Sequence, residues 1–110
     1  MRIAVSVLAI LFALLHIIAA TVQLRSKDSA ARGSAVLMLC GGVALICSSA
    51  AHLINGSLWD WQDPLSAACG FLLICFAAYL NGRRAGKVHV SHHLIRGGIA
   101  VLLVICFVVW

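Results

Sequence analysis

The sequence predicts an all-α integral membrane protein that forms one domain, residues 1–110, with four transmembrane helices. Its residues are 64% hydrophobic and only 10% charged, whereas ordinary soluble domains are about 25% charged. Apolar runs close to the 17 to 25 residues that cross a bilayer occur four times. The predicted spans are Ile3–Leu24, Ala35–Ile54, Leu65–Leu80 and Val88–Trp110. A soluble domain of this size buries too little surface to hide so many apolar side chains, so lipid is the expected surrounding.

The basic residues predict how these spans are oriented. Arg25, Lys27 and Arg32 lie between the first two spans, and Arg83, Arg84 and Lys87 lie between the last two. The second connection, residues 55–63, has two Asp and no Lys or Arg. Because short loops rich in Lys and Arg stay in the cytoplasm, both termini are expected outside a plasma membrane such as the bacterial inner membrane. The net charge of +5 therefore reflects topology and does not indicate a nucleic-acid partner.

The first span carries small or polar residues at helical spacing. Ala9, Ala13, His16, Ala20 and Gln23 recur every three or four positions and share one face. Small residues mark helix–helix contacts in membranes, because lipid already surrounds large apolar side chains. His16 is therefore expected to point into the bundle, either as a hydrogen-bonded packing residue or as a ligand-binding residue. A cleaved signal peptide is disfavoured for this segment, because its removal would leave the basic residues that follow on the translocated side.

The second and third spans have the same kind of face. It holds Ser34, Gly41, Ala44, Ser48, Ala51 and His52 in the second span, and Ser66, Gly70, Ala77 and Asn81 in the third. The pairs Asn55-Gly56 and Asn81-Gly82 are expected to end these two helices, and Asp63-Pro64 is expected to begin the third. Aromatic anchors at the outer surface are predicted at Trp59, Trp61 and Trp110.

The two halves of the chain resemble each other, which predicts a tandem duplication of a two-helix hairpin. The proposed repeats are residues 1–54 and 64–110, in which Leu14–Arg25 aligns with Leu72–Arg83, and Cys40–Ile46 with Arg96–Leu102. The first alignment matches the amides of Gln23 and Asn81, and the second matches two Gly-Gly pairs. Many transporters are built from parallel repeats of this kind, with the binding site at the interface between them.

The fourth span begins with four ionisable residues on one face. His89, His92, His93 and Arg96 follow the spacing i, i+3, i+4 and i+7. The helix that follows Arg96 would rise only about 21 Å to the last residue, less than the roughly 30 Å hydrocarbon core, so Arg96 is expected inside the inner leaflet. No predicted span contains a carboxylate to pair with it. Arg96 then either snorkels to the cytoplasmic headgroups or is the counter-charge for an anionic ligand or headgroup inside the bundle.

A layer of candidate ligand-binding residues is expected at the depth of Arg96. His16 is nine residues from Arg25, and Arg96 is nine residues from Lys87, so at about 1.5 Å per residue the two occupy a similar depth. The full set of candidate ligand-binding residues is His16, Gln23, Asn81, His92, His93 and Arg96. We expect His16 and Arg96 to be its centre.

The histidines leave a metal site and a haem site open as alternatives. His89 and His93 are an i, i+4 pair and are weak candidates for zinc ligands. His16 together with His92 or His93 would supply the two imidazoles that a b-type haem needs. Thiol redox chemistry is not indicated, because the five cysteines lie within the spans and form no Cys-x-x-Cys.

The expected function is binding rather than catalysis. The sequence shows no Ser-His-Asp set, phosphate-binding loop or pair of carboxylates within the spans. The leading hypothesis is a small membrane protein that binds or transports a small solute, anionic if Arg96 is its counter-charge, at the repeat interface. A homo-oligomer is expected, because four short spans enclose little space. The alternatives are a structural or regulatory subunit that docks to a larger membrane complex, and a haem or quinone electron carrier.

Overall fold

The computed structural model describes residues 1–55, 62–86 and 90–109, with only the backbone given for Asn55, Gln62 and Asp63. Its four helices are α1, Arg2–Leu24; α2, Ser29–Asn55; α3, Gln62–Arg84; and α4, Val90–Val109. Each is long and apolar enough to cross a membrane, which confirms the predicted all-α, four-span architecture. The predictions made for Trp59, Trp61, Lys87, His89 and Trp110 fall outside the described residues.

Helix α2 begins in the polar segment, well before the predicted apolar run. Asp28 provides its first cap: the side-chain Oδ1 accepts a hydrogen bond from the Ala30 backbone N–H at 3.0 Å. The Asp28 carbonyl also accepts the Arg32 N–H at 3.1 Å. A carboxylate here satisfies a free N–H and places negative charge at the positive end of the helix dipole. The α1–α2 connection is therefore shortened to residues 25–28.

Helix α3 ends later than the sequence predicts, so the predicted stop at Asn81-Gly82 is wrong. The helix continues to Arg84, and the Ala85 N–H donates to the Asn81 carbonyl at 3.1 Å. The Asn81 side chain bonds to neighbouring helices. Gly86 ends the helix instead, with φ +64° and its N–H donating to the Arg83 carbonyl at 3.2 Å. Glycine adopts this left-handed conformation without the steric penalty of a side chain.

The helix ends at the second connection lie close to the predicted signals. Helix α2 ends at Asn55, immediately before Gly56, which is outside the described residues. Helix α3 begins at Gln62 and has Pro64 in its first turn, where a missing N–H costs no hydrogen bond. The predicted cap by the Asp63 side chain lies outside the described side chains.

Helix α2 lies at the centre of the bundle, in contact with both α1 and α3. A Cβ atom built on Gly41 would lie 2.7 Å from the carbonyl oxygen of Gly70, and one built on Gly70 would lie 2.8 Å from that of Gly41. On the opposite side, a Cβ atom on Gly42 would lie 2.6 Å from Cγ1 of Ile17. These distances are too short for any real side chain, so glycine is what allows α2 to approach both neighbours closely.

Helix α4 is the least buried helix and packs mainly against α3, with a smaller contact to α1. A Cβ atom built on Gly97 or Gly98 would have nothing within 4 Å. The Gly-Gly pair of α4 therefore lies in open space, whereas the pair at Gly41 and Gly42 of α2, with which the sequence aligns it, is tightly packed. The tandem duplication stays a prediction.

Candidate functional site

A polar cavity of about 470 Å³ lies between the helices. Its wall is formed by Leu15, His16, Ala19 and Gln23 of α1, Met38 of α2, Ala78 and Asn81 of α3, and Arg96 of α4. Leu15 and Ala19 are exposed, so the cavity opens to the membrane beside α1. Four of the six candidate ligand-binding residues thus meet in one place: His16, Gln23, Asn81 and Arg96.

Arg96 lies on the inner face of α4. Ala100, Leu103 and Phe107 follow it at i+4, i+7 and i+11 and are buried, so this face points into the bundle. Arg96 itself is half-buried and lines the cavity. Asp28 is the only carboxylate among the described side chains, and it lies in the α1–α2 connection. The described part of the bundle therefore offers Arg96 no acidic partner at its own depth.

The ring of His16 is held in place by its own helix. Its Nδ1 donates a hydrogen bond to the Phe12 carbonyl at 2.7 Å, and the two rings pack with their centroids 4.3 Å apart. Because a carbonyl only accepts, Nδ1 carries a proton, and in the neutral form of the ring Nε2 is then a hydrogen-bond acceptor. Arg96 lines the same cavity as this ring. The cavity therefore combines a cation and an acceptor at one level.

A polar network joins three helices at the end of the cavity nearest the α1–α2 connection. Asn81 Nδ2 of α3 donates to Gln23 Oε1 of α1 at 2.8 Å, and Asn81 Oδ1 accepts a short hydrogen bond from Ser34 Oγ of α2. Arg84 Nη1 donates to Ser34 Oγ at 3.3 Å. The bond to Asn81 uses only the oxygen of Gln23, so the Gln23 amide keeps two N–H donors for a ligand.

We expect Asn81→Leu to lower the free energy of unfolding by about 1–2 kcal/mol. It removes two interhelical hydrogen bonds, each worth about 0.6 kcal/mol and up to about 1.7 kcal/mol in membrane proteins. Thr21→Val is the matched control, since the exposed Thr21 hydroxyl bonds to the Ile18 carbonyl of its own helix; its cost is expected below about 0.5 kcal/mol. Unfolding in detergent, followed by far-ultraviolet circular dichroism, measures both. Equal costs would contradict a stabilising role for the network.

His92 and His93 lie apart from the cavity wall. The ring of His93 packs against Tyr79 in a T-shaped arrangement, with centroids 6.0 Å apart, and borders a shallow depression along α4. His92 is exposed. Both lie in the first turn of α4, one turn closer to its start than Arg96. They share a helix face with Arg96, but they do not lie at the depth of His16.

The metal and haem alternatives gain no support from the described residues. Within residues 1–55, 62–86 and 90–109, no group of three or more His, Cys, Asp or Glu side chains is placed to hold a metal ion. The proposed zinc pair includes His89, which lies outside those ranges. A haem held by His16 would need His92 or His93 as the second ligand, and neither lines the cavity.

Two residues of the polar network, Ser34 and Arg84, are absent from the predicted set. Ser34 belongs to the small-residue face of the second span, and Arg84 belongs to the basic cluster after the third. The sequence feature that could have identified Arg84 is its spacing, since Arg84 follows Asn81 by one helical turn and shares its face. At the other end of the bundle, His52 is buried with its ring centroid 4.9 Å from that of Phe107, and it does not line the cavity.

No protein-family model, no curated protein and no solved structure matches this chain. The chemistry of the cavity wall is therefore the basis on which a function is proposed.

Proposed function

We propose that the protein binds a small anionic solute in the polar cavity between its two helical hairpins, as a step in transport of that solute. The observation that carries the proposal is the cavity wall, where Arg96 supplies a cation and Gln23 supplies N–H donors. A guanidinium group binds carboxylates and phosphates through paired, charge-assisted hydrogen bonds. A volume of about 470 Å³ lies within the roughly 300–1,000 Å³ of small-molecule sites.

The charge balance of the cavity favours an anion over other ligands. A charged side chain inside a membrane span is costly unless it is paired or hydrated, and the described part of the bundle has no carboxylate beside Arg96. An anion in the cavity would neutralise Arg96, whereas a cation would be repelled by it. His16 Nε2, an acceptor, would bind a hydroxyl or a protonated acid group on the same ligand.

We place the network end of the bundle in the cytoplasm. Gln23, Ser34 and Asn81 lie near the α1–α2 and α3–α4 connections, and their hydrogen bonds join these connections at one end. The described basic residues at that end are Arg25, Lys27, Arg32, Arg83 and Arg84. The bias of Lys and Arg toward the cytoplasm supports both termini lying outside, in a plasma membrane such as the bacterial inner membrane.

The alternative of a docking subunit has less support, because the small-residue faces are used within the chain. Ala9, Ala13 and Ala20 of α1 are fully buried, and Ser48 of α2 forms a hydrogen bond with Ser66 of α3. A face that already packs inside one chain is not free to dock to another. Assembly of several copies stays a prediction.

Benzoate and benzamide, which have similar shapes but different charges, test the proposal. We expect benzoate to raise the unfolding temperature of the detergent-solubilised protein, and benzamide to have no effect, because the carboxylate pairs with Arg96. In Arg96→Gln, which keeps a polar side chain, the affinity for benzoate is expected to fall by about tenfold or more, equivalent to about 1.4 kcal/mol. Isothermal titration calorimetry measures the dissociation constants.

Arg25→Gln is the matched control for the loss of one positive charge. Arg25 is exposed at the same end of the bundle and does not line the cavity, so benzoate binding is expected to change by less than about twofold, as for surface charges screened by salt. Equal losses in Arg25→Gln and Arg96→Gln would show general charge attraction and would reject a site at Arg96.

A further inference from the structure

We infer that the natural anion of this cavity is the headgroup of an acidic phospholipid, with one acyl chain in an apolar groove between α3 and α4. The inference rests on the proposed function, because Arg96 is the anion-binding group in both. It names a membrane lipid, in place of a free solute, as the anion that Arg96 binds, and it adds a second half to the site. The occupant is an intact membrane lipid, not a free phosphate or a peptide.

The groove is a separate cavity of about 360 Å³ on the membrane side of α3 and α4. Its wall includes Phe71, Leu72 and Cys75 of α3 and Gly97, Val101 and Ile105 of α4. Every lining side chain is apolar or a thiol, and the stretch of α4 from Gly97 to Ile105 rises about 12 Å. The groove is open at Gly97, where a built Cβ atom has nothing within 4 Å. Its length and chemistry suit one segment of a hydrocarbon chain.

The polar cavity and the apolar groove meet at Arg96. Arg96 lines the cavity, and the next residue, Gly97, lines the groove. On α3, Ala78 lines the cavity, and Cys75, one turn earlier, lines the groove. One ligand can therefore bind to both parts.

The two halves are arranged in the same direction as a lipid in the nearer leaflet. From the level of Arg96, the cavity extends toward Gln23 and Asn81, at the end of the bundle with the basic connections. From the same level, the groove extends the other way along α4 to Ile105, across the middle of the span and into its other half. A phospholipid has its headgroup toward the surface and its chains toward the midplane, so its polar part lies beside polar residues and its chain beside apolar ones.

Charge decides which lipid fits. Any lipid chain can lie in an apolar groove, but a headgroup with net negative charge is required to neutralise Arg96. Basic pockets between transmembrane helices on the cytoplasmic side are known to favour acidic headgroups. Arg83 and Arg84, at the surface beyond Asn81, increase the local concentration of such lipids before they enter the cavity.

Native mass spectrometry of the full chain in detergent tests the inference with two lipids of identical chains. We expect dioleoyl-phosphatidylglycerol, which is anionic, to bind about tenfold or more tightly than dioleoyl-phosphatidylcholine, which is zwitterionic. In Arg96→Gln, the preference is expected to fall below about threefold, because the charge that distinguishes the headgroups is gone.

Gly97→Leu and Gly98→Leu test the groove as a matched pair. Both glycines have open space around a built Cβ atom, but Gly97 lines the groove and Gly98 does not. Gly97→Leu is expected to weaken phosphatidylglycerol binding by about fivefold or more, since the new side chain occupies the place of the acyl chain. Gly98→Leu, which lines neither the groove nor the cavity, is expected to change it by less than about twofold and to leave benzoate binding unchanged.

The outcomes separate this inference from the proposed function. Equal binding of the two lipids by the unmodified protein, or equal effects of the two leucine substitutions, would overturn the lipid site. Benzoate binding that depends on Arg96, found together with equal lipid binding, would leave the small-solute proposal standing. If sn-glycerol 3-phosphate binds as tightly as phosphatidylglycerol, the groove is not used and the ligand is a soluble anion. If no anion binds through Arg96, both proposals are wrong.

Discussion

Gly41→Ala is expected to lower the free energy of unfolding by about 1–3 kcal/mol, as overpacking of a dense core does. The new methyl group would lie 2.7 Å from the Gly70 carbonyl oxygen, and 3.0 Å from both Ile74 Cγ1 and Leu73 Cβ. A backbone oxygen cannot rotate away as the end of a side chain can, so α2 and α3 must separate. Separation would weaken packing along the whole crossing.

Gly98→Ala is the control for the Gly41 prediction. Its Cβ atom meets nothing within 4 Å, so the substitution is expected to be neutral or to stabilise α4 by up to about 1 kcal/mol through its higher helix propensity. Reversible unfolding in a detergent titration, followed by circular dichroism, measures both variants. If Gly41→Ala were as stable as Gly98→Ala, the close crossing of α2 and α3 would be wrong.

Gly42→Ala is expected to cost about 1–3 kcal/mol, and a second substitution is expected to restore most of it. The new methyl group would lie 2.6 Å from Ile17 Cγ1 and 3.5 Å from the Ala13 carbonyl oxygen. The severe overlap is therefore with one side chain, and Ile17→Ala removes it. In a double-mutant cycle, the Gly42→Ala/Ile17→Ala protein is expected to be more stable than the sum of the single effects predicts, by about 1 kcal/mol or more.

The control cycle pairs Ile17→Ala with Gly98→Ala on α4. A Cβ atom built on Gly98 meets nothing within 4 Å, Ile17 included, so these two effects are expected to add to within about 0.5 kcal/mol. Additivity in the Gly42 cycle as well would contradict the contact between α1 and α2 at Gly42. We also expect that Ile17→Ala does not compensate Gly41→Ala, because the methyl group added at position 41 overlaps the backbone of α3.

Most of the architecture can be predicted from the sequence, because membrane helices are recognised by the length and the apolar composition of their segments. The four helices are confirmed, and the residues predicted to face other helices are those that pack. Ala9, Ala13 and Ala20 of α1 are fully buried, and Ser34 and Ser48 of α2 are buried against α3. Small residues allow helices to approach closely, and polar residues form hydrogen bonds between them. The large side chains of Leu45, Phe71 and Ile74 are fully buried as well, and the small-residue pattern does not predict them.

The ends of the helices are harder to predict from the sequence. Hydropathy indicates which residues can lie in lipid, but the ends of a helix depend on backbone hydrogen bonds. Helix α2 begins in the polar segment after its Asp28 cap, where hydropathy gives no signal. Helix α3 continues past Asn81, whose side chain bonds to Gln23 and Ser34. An asparagine that ends a helix and an asparagine that bonds to another helix look the same in a sequence. Only the structure shows which partner the side chain has.

The candidate site could be predicted in part, through depth and helical face. Those two quantities follow from residue counting, and they bring His16 and Arg96 to one level and Gln23 and Asn81 to one end. Depth and helical face do not predict which helices lie side by side. His92 and His93 share the predicted face of Arg96 but lie one turn closer to the start of α4, and they do not line the cavity.

The sequence by itself determined that this chain has four helices long and apolar enough to span a membrane. It also determined which small residues of α1, α2 and α3 face the bundle, and that the helix with Arg96 has no carboxylate. Those properties depend on periodicity, length and composition, which one helix carries alone. Only the tertiary structure decided that Arg96 faces the bundle and meets His16, Gln23 and Asn81 in one cavity beside an apolar groove. The position of the cavity and the groove depends on the close approach of α2 to α1 and α3, which glycine allows. It also depends on the smaller packing contact of α4 with the other helices.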